Sequence, residues 1–121
     1  MKYLFIALGG ALGAVLRFFI SSLLYAASSG NFPWGTLAVN VLGSFVLALF
    51  IGLTGGEHTA WYFFLAIGLL GAFTTFSIFS METFLLFKIA SVWLAIVNMS
   101  ANMGLGLGVT IGGYYLGDLI K

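Results

Sequence analysis

The stretch that decides the fold is residues 71–80, which read GAFTTFSIFS. It opens with a glycine and places threonines and serines among phenylalanines. Serine and threonine side chains offer the backbone hydrogen-bond partners other than those of a helix, and threonine loses rotamer freedom in a helix. The composition predicts an interrupted helix near residues 71–75. The alternative is an unbroken helix whose hydroxyls bond back to its own carbonyls.

This polar stretch lies inside a long apolar run, residues 60–87, and the chain has three more such runs at residues 4–27, 35–53 and 90–116. Each approaches or exceeds the roughly 20 residues that cross a hydrocarbon core about 30 Å thick. The 121-residue chain is 62% hydrophobic and 6% charged, which is too little polar surface for a soluble domain. We predict an all-α integral membrane protein with a single four-helix transmembrane domain over residues 1–121.

The positive charges give almost no orientation signal. Four spans place both termini on one side, where Lys2 and Lys121 lie, while Lys88 lies on the other side and Arg17 lies within a span. Because lysine and arginine near span ends set membrane orientation, this balance permits insertion both ways. The natural assembly of such a chain is an antiparallel homodimer. The alternative is that other features set the orientation.

A few side chains within the apolar runs are costly to place in lipid: Arg17, Asn40, Glu82, Asn98 and Asn102. Ionisable residues inside a membrane favour a functional role. Simpler alternatives are that Arg17 extends to the membrane interface and that Glu82 makes an ion pair or a hydrogen bond. Asn40 shares a helical face with Thr36, and Asn98 lies one turn from Asn102. The asparagines are equally consistent with helix pairing and with pore lining.

Phe76 and Phe79 lie one turn apart if the chain is helical there, with Ser77 and Ser80 beside them. Core packing or contact with lipid is the default interpretation of these rings. An aromatic ring also has an electropositive edge. A narrow lining of ring edges, hydroxyls and amides could therefore replace water around a small anion without a fixed positive charge. Such a lining suits fluoride, whose strong hydration demands many close donors.

Small residues recur at helical spacing in the first and last runs. Gly9 and Gly13 are four residues apart, and the last run carries a longer series that we call the glycine face: Ser100, Gly104, Gly108 and Gly112. This spacing lets helices approach closely. We interpret both patterns as structural.

Three segments, taken together and in order, resemble the CrcB/Fluc family of fluoride channels. They are residues 10–18 (GALGAVLRF), residues 33–40 (PWGTLAVN) with 43–45 (GSF), and residues 68–82. The resemblance covers nearly the whole chain. It implies a passive, non-enzymatic fluoride channel in the bacterial cell (inner) membrane, built as an antiparallel, dual-topology homodimer with two pores. The implied partners are fluoride, a second copy and lipid, with no nucleic acid.

The resemblance also assigns residues. It implies a structural sodium ion at the dimer centre, held by backbone carbonyls of Gly71 and Thr74. It implies a fluoride pore lined by Phe76, Phe79, Asn40, Ser77 and Thr110, to which the spacing adds Ser80 and Thr36. Arg17 is expected near an aqueous vestibule, and Glu82 matches a family glutamate whose role stays open. The family usually has threonine where this chain has Ile78, which removes one hydroxyl from the expected lining.

Two other functions fit a small four-span protein. A small multidrug exporter exchanges protons for cationic compounds and needs a membrane carboxylate, typically in the first span, where this chain has Arg17 and no acid. A passive accessory subunit would leave Asn40 and the hydroxyls of residues 71–80 unexplained. An enzyme is disfavoured, because no nucleophile, base and acid cluster is present.

Overall fold

The computed structural model describes all residues from 1 to 121. It contains four long helices, which we call spans 1 to 4: Lys2–Ala27, Trp34–Thr54, Tyr62–Ala90 and Val92–Ile120. Each is long and apolar enough to cross a membrane, and there are no strands. The chain is therefore a multi-pass membrane protein, and the predicted all-helical architecture with four spans is confirmed.

Short connections join the spans. Pro33 lies directly before span 2, where its fixed φ suits a helix start. Span 2 ends at Gly55 and Gly56, whose φ values of 68° and 74° lie in the left-handed region that glycine adopts without strain. Ser91, with φ −159° and ψ 130°, separates spans 3 and 4 by one extended residue. These connections make consecutive spans antiparallel neighbours.

Span 3 is interrupted where residues 71–80 predict it to be. Its first part is a π-helix, Tyr62–Leu70, followed by a short α-helical turn, Gly71–Phe73. Thr74 and Thr75 are then extended, with φ and ψ of −80° and 158° and of −150° and 118°. The helix resumes at Phe76, where the Thr75 hydroxyl accepts the Ile78 N–H at 3.3 Å and caps the new start.

The spans pack through glycines that bring two backbones together. A Cβ atom on Gly9 or Gly13 would collide with backbone carbonyls of the first half of span 3. Between spans 2 and 4, a Cβ on Gly113 would lie 2.7 Å from the carbonyl oxygen of Phe45. The Gly9 and Gly13 pair thus has the close helix contact that its spacing predicts.

The glycine face of span 4 is different. A Cβ on Gly104, Gly108 or Gly112 would meet nothing within 4 Å. Span 4 contacts span 2 through another pair, Gly113 and Gly117. Within one chain, the predicted small face is therefore present and has no packing partner.

Candidate functional site

The side chain of Asn40, on span 2, is hydrogen-bonded to the backbone at the break in span 3. Its side-chain oxygen accepts the Thr75 N–H at 2.8 Å, and its Nδ2 donates to the Thr75 carbonyl at 3.2 Å. Because Thr75 is extended, both of its backbone groups lack a helical partner. The asparagine amide satisfies the two together, as a neighbouring strand would. One side chain on span 2 thereby stabilises the irregular backbone that lipid would not tolerate.

Further asparagines continue from Asn40 as a series that we call the relay. Asn40 Nδ2 donates to Asn102 Oδ1 at 2.9 Å, and Asn102 Nδ2 donates to both the Oδ1 and the backbone oxygen of Asn98 at 3.0 Å. Asn98 then donates to the Thr83 hydroxyl at 2.9 Å, which donates to the Phe79 carbonyl at 2.7 Å. Asn98 and Asn102 are buried, so the relay connects spans 2, 3 and 4 inside the protein.

Glu82, in the second half of span 3, contacts the first turn of span 2. Its Oε1 accepts the hydroxyl of buried Thr36 at 2.9 Å, whereas its Oε2 is buried without a hydrogen-bond partner. Glu82 makes no ion pair, since the chain's one salt bridge joins Lys121 and Asp118. The partner of this glutamate is therefore a hydroxyl and not a cation. Glu82 also lines a cavity of about 290 Å³ beneath the first loop.

The two phenylalanines beside the break face different surroundings. Their ring centroids are 5.7 Å apart at an interplanar angle of 54°. Phe79 is only 8% exposed, whereas Phe76 is 73% exposed. Phe79 therefore belongs to the chain's interior, and Phe76 faces away from it.

Other residues of the predicted pore also face outward. Ser77, Ser80 and Thr110 are exposed. The Ser80 hydroxyl donates to the Phe76 carbonyl at 2.9 Å, and the Thr110 hydroxyl donates to the Gly106 carbonyl at 2.8 Å. These hydroxyls thus lie on an open surface, and within a single chain nothing covers them.

The structure brings only part of the predicted set together. The break is surrounded by four of its members, Asn40, Ser77, Phe76 and Phe79. Thr36, bonded to Glu82, lies one helical turn from Asn40 on span 2. Thr110 instead lines a separate cavity of about 450 Å³ with Ser44. Arg17 is half-buried on span 1 and makes neither a hydrogen bond nor a salt bridge.

The residues expected to hold sodium lie where the first half of span 3 meets the break. Gly71 and Thr74 lie at the end of the first half of span 3, where the last carbonyls of a helix lack an intrahelical donor. A Cβ on Gly71 would meet only the Ala66 carbonyl, at 3.7 Å, so this helix end is uncrowded. Neutral carbonyls at a helix end suit a monovalent cation. The chain has no group of three or more histidine, cysteine or carboxylate side chains that could hold a metal ion.

Sequence reasoning missed two members of the site. Thr75 supplies the backbone groups that Asn40 binds, and Thr83 ends the relay. The adjacent threonines at the break were a signal for Thr75. For Thr83 there was none, since a threonine four residues after Phe79 is ordinary in a helix.

A four-span helical protein with one interrupted span and a buried polar cluster at the interruption belongs to the class of membrane transport proteins. Residues 4–114 match the family model described as CrcB-like protein, Camphor Resistance (CrcB). The chain belongs to this CrcB family, as the resemblance predicts.

Curated relatives extend over nearly the whole chain. A Thermus thermophilus protein is 43% identical over 98% of this chain and 97% of its own length. A Shewanella pealeana protein is 43% identical over 95% and 91%, and a Dehalococcoides mccartyi protein is 45% identical over 99% and 95%. Each of these relatives bears the name fluoride-specific ion channel FluC.

Proposed function

We propose that this chain forms a fluoride-selective channel through which fluoride leaves a bacterial cell passively across the inner membrane. The observation that carries the proposal is the break in span 3, closed by Asn40 and flanked by Phe76 and Phe79. The names of the full-length relatives support the same ion. The chain is a channel protein and not an enzyme.

The chemistry at the break suits a small, strongly hydrated anion. A pore must replace the water around such an ion and still release it, which favours several moderate donors over one fixed charge. The break offers the Asn40 amide, the ring edges of the two phenylalanines, and nearby serine hydroxyls. No lysine or arginine lies in residues 71–87. Fluoride is therefore held by dipoles and ring edges.

Asn40 takes part by exchanging one hydrogen bond. Its two N–H groups are donated to the Thr75 carbonyl at 3.2 Å and to Asn102 at 2.9 Å. An arriving fluoride displaces the longer of these contacts, so the Thr75 carbonyl gives up its donor to the ion. Because a bond is lost as another forms, the ion is bound weakly enough to move on.

Residues away from the break serve the ends of the path. The Thr36 hydroxyl donates its hydrogen to Glu82, so this pair offers only acceptor oxygen atoms to an anion. The pair therefore marks a polar boundary of the path. The guanidinium of Arg17 attracts anions into a vestibule through its charge. Exposed hydroxyls on the outer surface of the chain come from Ser77 and Ser80 and, at a separate cavity, from Thr110.

The functional unit is an antiparallel homodimer with two pores. Phe76, Ser77, Ser80 and Thr110 need a second surface to enclose a path, and the glycine face needs a packing partner. The balanced charges allow both orientations in one membrane. A two-fold axis in the membrane plane then relates the two chains and gives two equivalent paths.

A sodium ion at the dimer centre fits the chemistry of the same break. The Gly71 and Thr74 carbonyls of both copies would hold it, and the ion would neutralise the negative ends of two helix dipoles. It acts as a structural cation, outside the fluoride path.

The test is ion release from liposomes that contain only this protein. Fluoride should leave loaded liposomes and chloride should stay, with protein-free liposomes as the control. Equal release of both anions would contradict selectivity. Proton-driven uptake of a cationic dye would instead identify an exporter of the small multidrug type.

A further inference from the structure

The relay has a fixed direction because its two ends are backbone groups. The Thr75 N–H can only donate, and the Phe79 carbonyl can only accept. The side chains between them are those of Asn40, Asn102, Asn98 and Thr83. An asparagine amide has a donor end and an acceptor end that a rotation of 180° exchanges. The ends of the relay therefore decide which way each amide points.

From the Phe79 end, each bond dictates the next. The single hydrogen of the Thr83 hydroxyl goes to the Phe79 carbonyl, so the Thr83 oxygen accepts from Asn98. That places the Asn98 amino group toward Thr83 and leaves its Oδ1 for Asn102. The backbone oxygen of Asn98 also faces Asn102 and can only accept. Asn102 must donate here, which leaves its Oδ1 for Asn40.

From the Thr75 end, the orientation of Asn40 comes out the same. The Thr75 N–H requires the Asn40 oxygen, so the Asn40 amino group faces Asn102. A rotated Asn40 amide would set oxygen against Asn102 Oδ1 and an N–H against the Thr75 N–H. Both ends of the relay thus require the same orientation of the Asn40 amide, and every donor in the relay faces an acceptor.

We propose that Thr83, Asn98 and Asn102 are positioning residues that hold the donor end of Asn40 toward the ion path and thereby set anion selectivity. This inference rests on the proposed function. Fluoride displaces only the Thr75 carbonyl while Asn102 keeps the other Asn40 N–H. Once fluoride displaces the Thr75 carbonyl, Asn102 and the Thr75 N–H are the two groups that still hold the amide. Without the relay the Thr75 N–H alone remains, and the donor end of Asn40 is no longer held toward the ion path. The Phe79 carbonyl also loses its bond from the Thr83 hydroxyl in the same change.

The test compares two substitutions at Thr83, which lies outside the predicted pore set. Thr83→Val keeps the shape and removes the hydroxyl, whereas Thr83→Ser keeps the hydroxyl and removes a methyl group. Fluoride flux in liposomes should fall about tenfold in Thr83→Val, the effect of about 1.4 kcal/mol on a barrier, and the preference over chloride should fall with it. Thr83→Ser should stay within about twofold of the unmodified protein.

A packing role predicts the reverse order, with Thr83→Val tolerated and Thr83→Ser impaired. That order, or unchanged flux and selectivity in folded Thr83→Val, would overturn the proposal. Thr54 is the matched control, because its hydroxyl also donates to the carbonyl four residues earlier, at 2.8 Å, outside the relay. Thr54→Val should change neither quantity.

A second variant guards against misfolding. If Thr83→Val does not elute as a folded protein, Asn102→Ala removes the middle of the relay without adding volume. It should show the same loss of flux and selectivity, and wild-type behaviour would refute the relay. Absence of fluoride flux in the unmodified protein would instead refute the proposed function itself, so the two failures are distinguishable.

Discussion

At the residue scale, the different environments of Phe76 and Phe79 distinguish core packing from lining of the ion path, which their spacing in the sequence does not. Phe79 is buried and carries a backbone carbonyl bonded to Thr83, so its substitution disturbs packing as well as any ion path. Phe76 is mostly exposed within the chain, and removing its ring costs the fold of one chain little. Phe76 is therefore the cleaner probe of a ring edge that faces an ion.

We expect Phe76→Ile to lower fluoride flux while the protein stays folded. Isoleucine keeps the apolar character but has no electropositive ring edge. Flux should fall about tenfold for each 1.4 kcal/mol added to the barrier. Phe79→Ile should lower flux too and, being buried, also cost about 1 kcal/mol or more of stability. The measurements are liposome efflux and size-exclusion elution.

Phe19 provides the control for this prediction, because its ring is also more than half exposed but lies on span 1 and outside the predicted pore set. Phe19→Ile should conduct normally. Normal flux in both Phe76→Ile and Phe79→Ile, with folded protein, would mean that these rings only fill space.

Asn40 should matter for both stability and conduction. Asn40→Ala leaves the N–H and carbonyl of extended Thr75 without partners, which costs about 1–3 kcal/mol for a buried polar group. We expect a lower unfolding temperature in detergent and strongly reduced fluoride flux. Asn31→Ala, in the exposed first loop, should alter neither. Full stability in Asn40→Ala would show that another group can close the break.

The sequence predicts those site residues whose polar side chains are costly to place in a membrane span. An asparagine in an apolar run is expensive wherever it points, so Asn40, Asn98 and Asn102 stand out from the sequence alone. Their mutual bonds depend on how spans 2, 3 and 4 pack, which spacing along one span cannot show. Thr75 and Thr83 act through a backbone group and a hydroxyl. Such contacts leave no distinctive pattern in the sequence.

At the scale of the element, span 3 shows which helix features composition can predict. The hydroxyl-rich residues 71–80 weaken the helix, and the break follows at Thr74 and Thr75. The π-helical winding of Tyr62–Leu70 was not predicted. In a run that is apolar on every side, no polar residues mark the period of the helix.

The glycines of span 4 should divide into two functional groups. Gly113→Ala puts a Cβ 2.7 Å from the Phe45 carbonyl, which forces spans 2 and 4 apart and should cost about 1–3 kcal/mol of stability. Gly108→Ala meets nothing within 4 Å in the chain, so the fold of one chain should hold. Its effect should be on dimerisation, through the glycine face. Thermal unfolding and size-exclusion chromatography separate the two effects.

Gly55→Ala is a reference for backbone strain, because Gly55 has open space but a φ of 68°. It should reduce stability without changing the dimer. If Gly108→Ala unfolds as readily as Gly113→Ala while remaining dimeric, the glycine face does not mediate dimerisation.

At the scale of the whole molecule, the exposed half of the predicted site would need a second surface to form the proposed pore. Phe76 lies open on the surface, as do Ser77 and Thr110. Neither lipid nor water reproduces a narrow, selective lining of ring edges and hydroxyls. In the proposed antiparallel dimer a second copy supplies that lining, which requires copies of the chain to insert in opposite orientations. Orientation is therefore a property on which the proposed conduction depends.

Added positive charges should fix the orientation of the chain and abolish conduction, and a second chain fixed in the opposite orientation should restore conduction. The chain has no cysteine, so one cysteine appended after Lys121 is a unique label. An impermeant thiol reagent should reach it from both sides of the membrane in the unmodified protein, because Lys2, Lys121 and Lys88 nearly balance. Two lysines placed in residues 55–59 should restrict labelling to one side and abolish fluoride flux, since all copies would then be parallel. Two glutamines there should change neither the labelling nor the flux.

A chain with two lysines in residues 28–32 should insert the other way and, when co-expressed with the first variant, restore flux. Flux from a population labelled on one side only would contradict the antiparallel dimer.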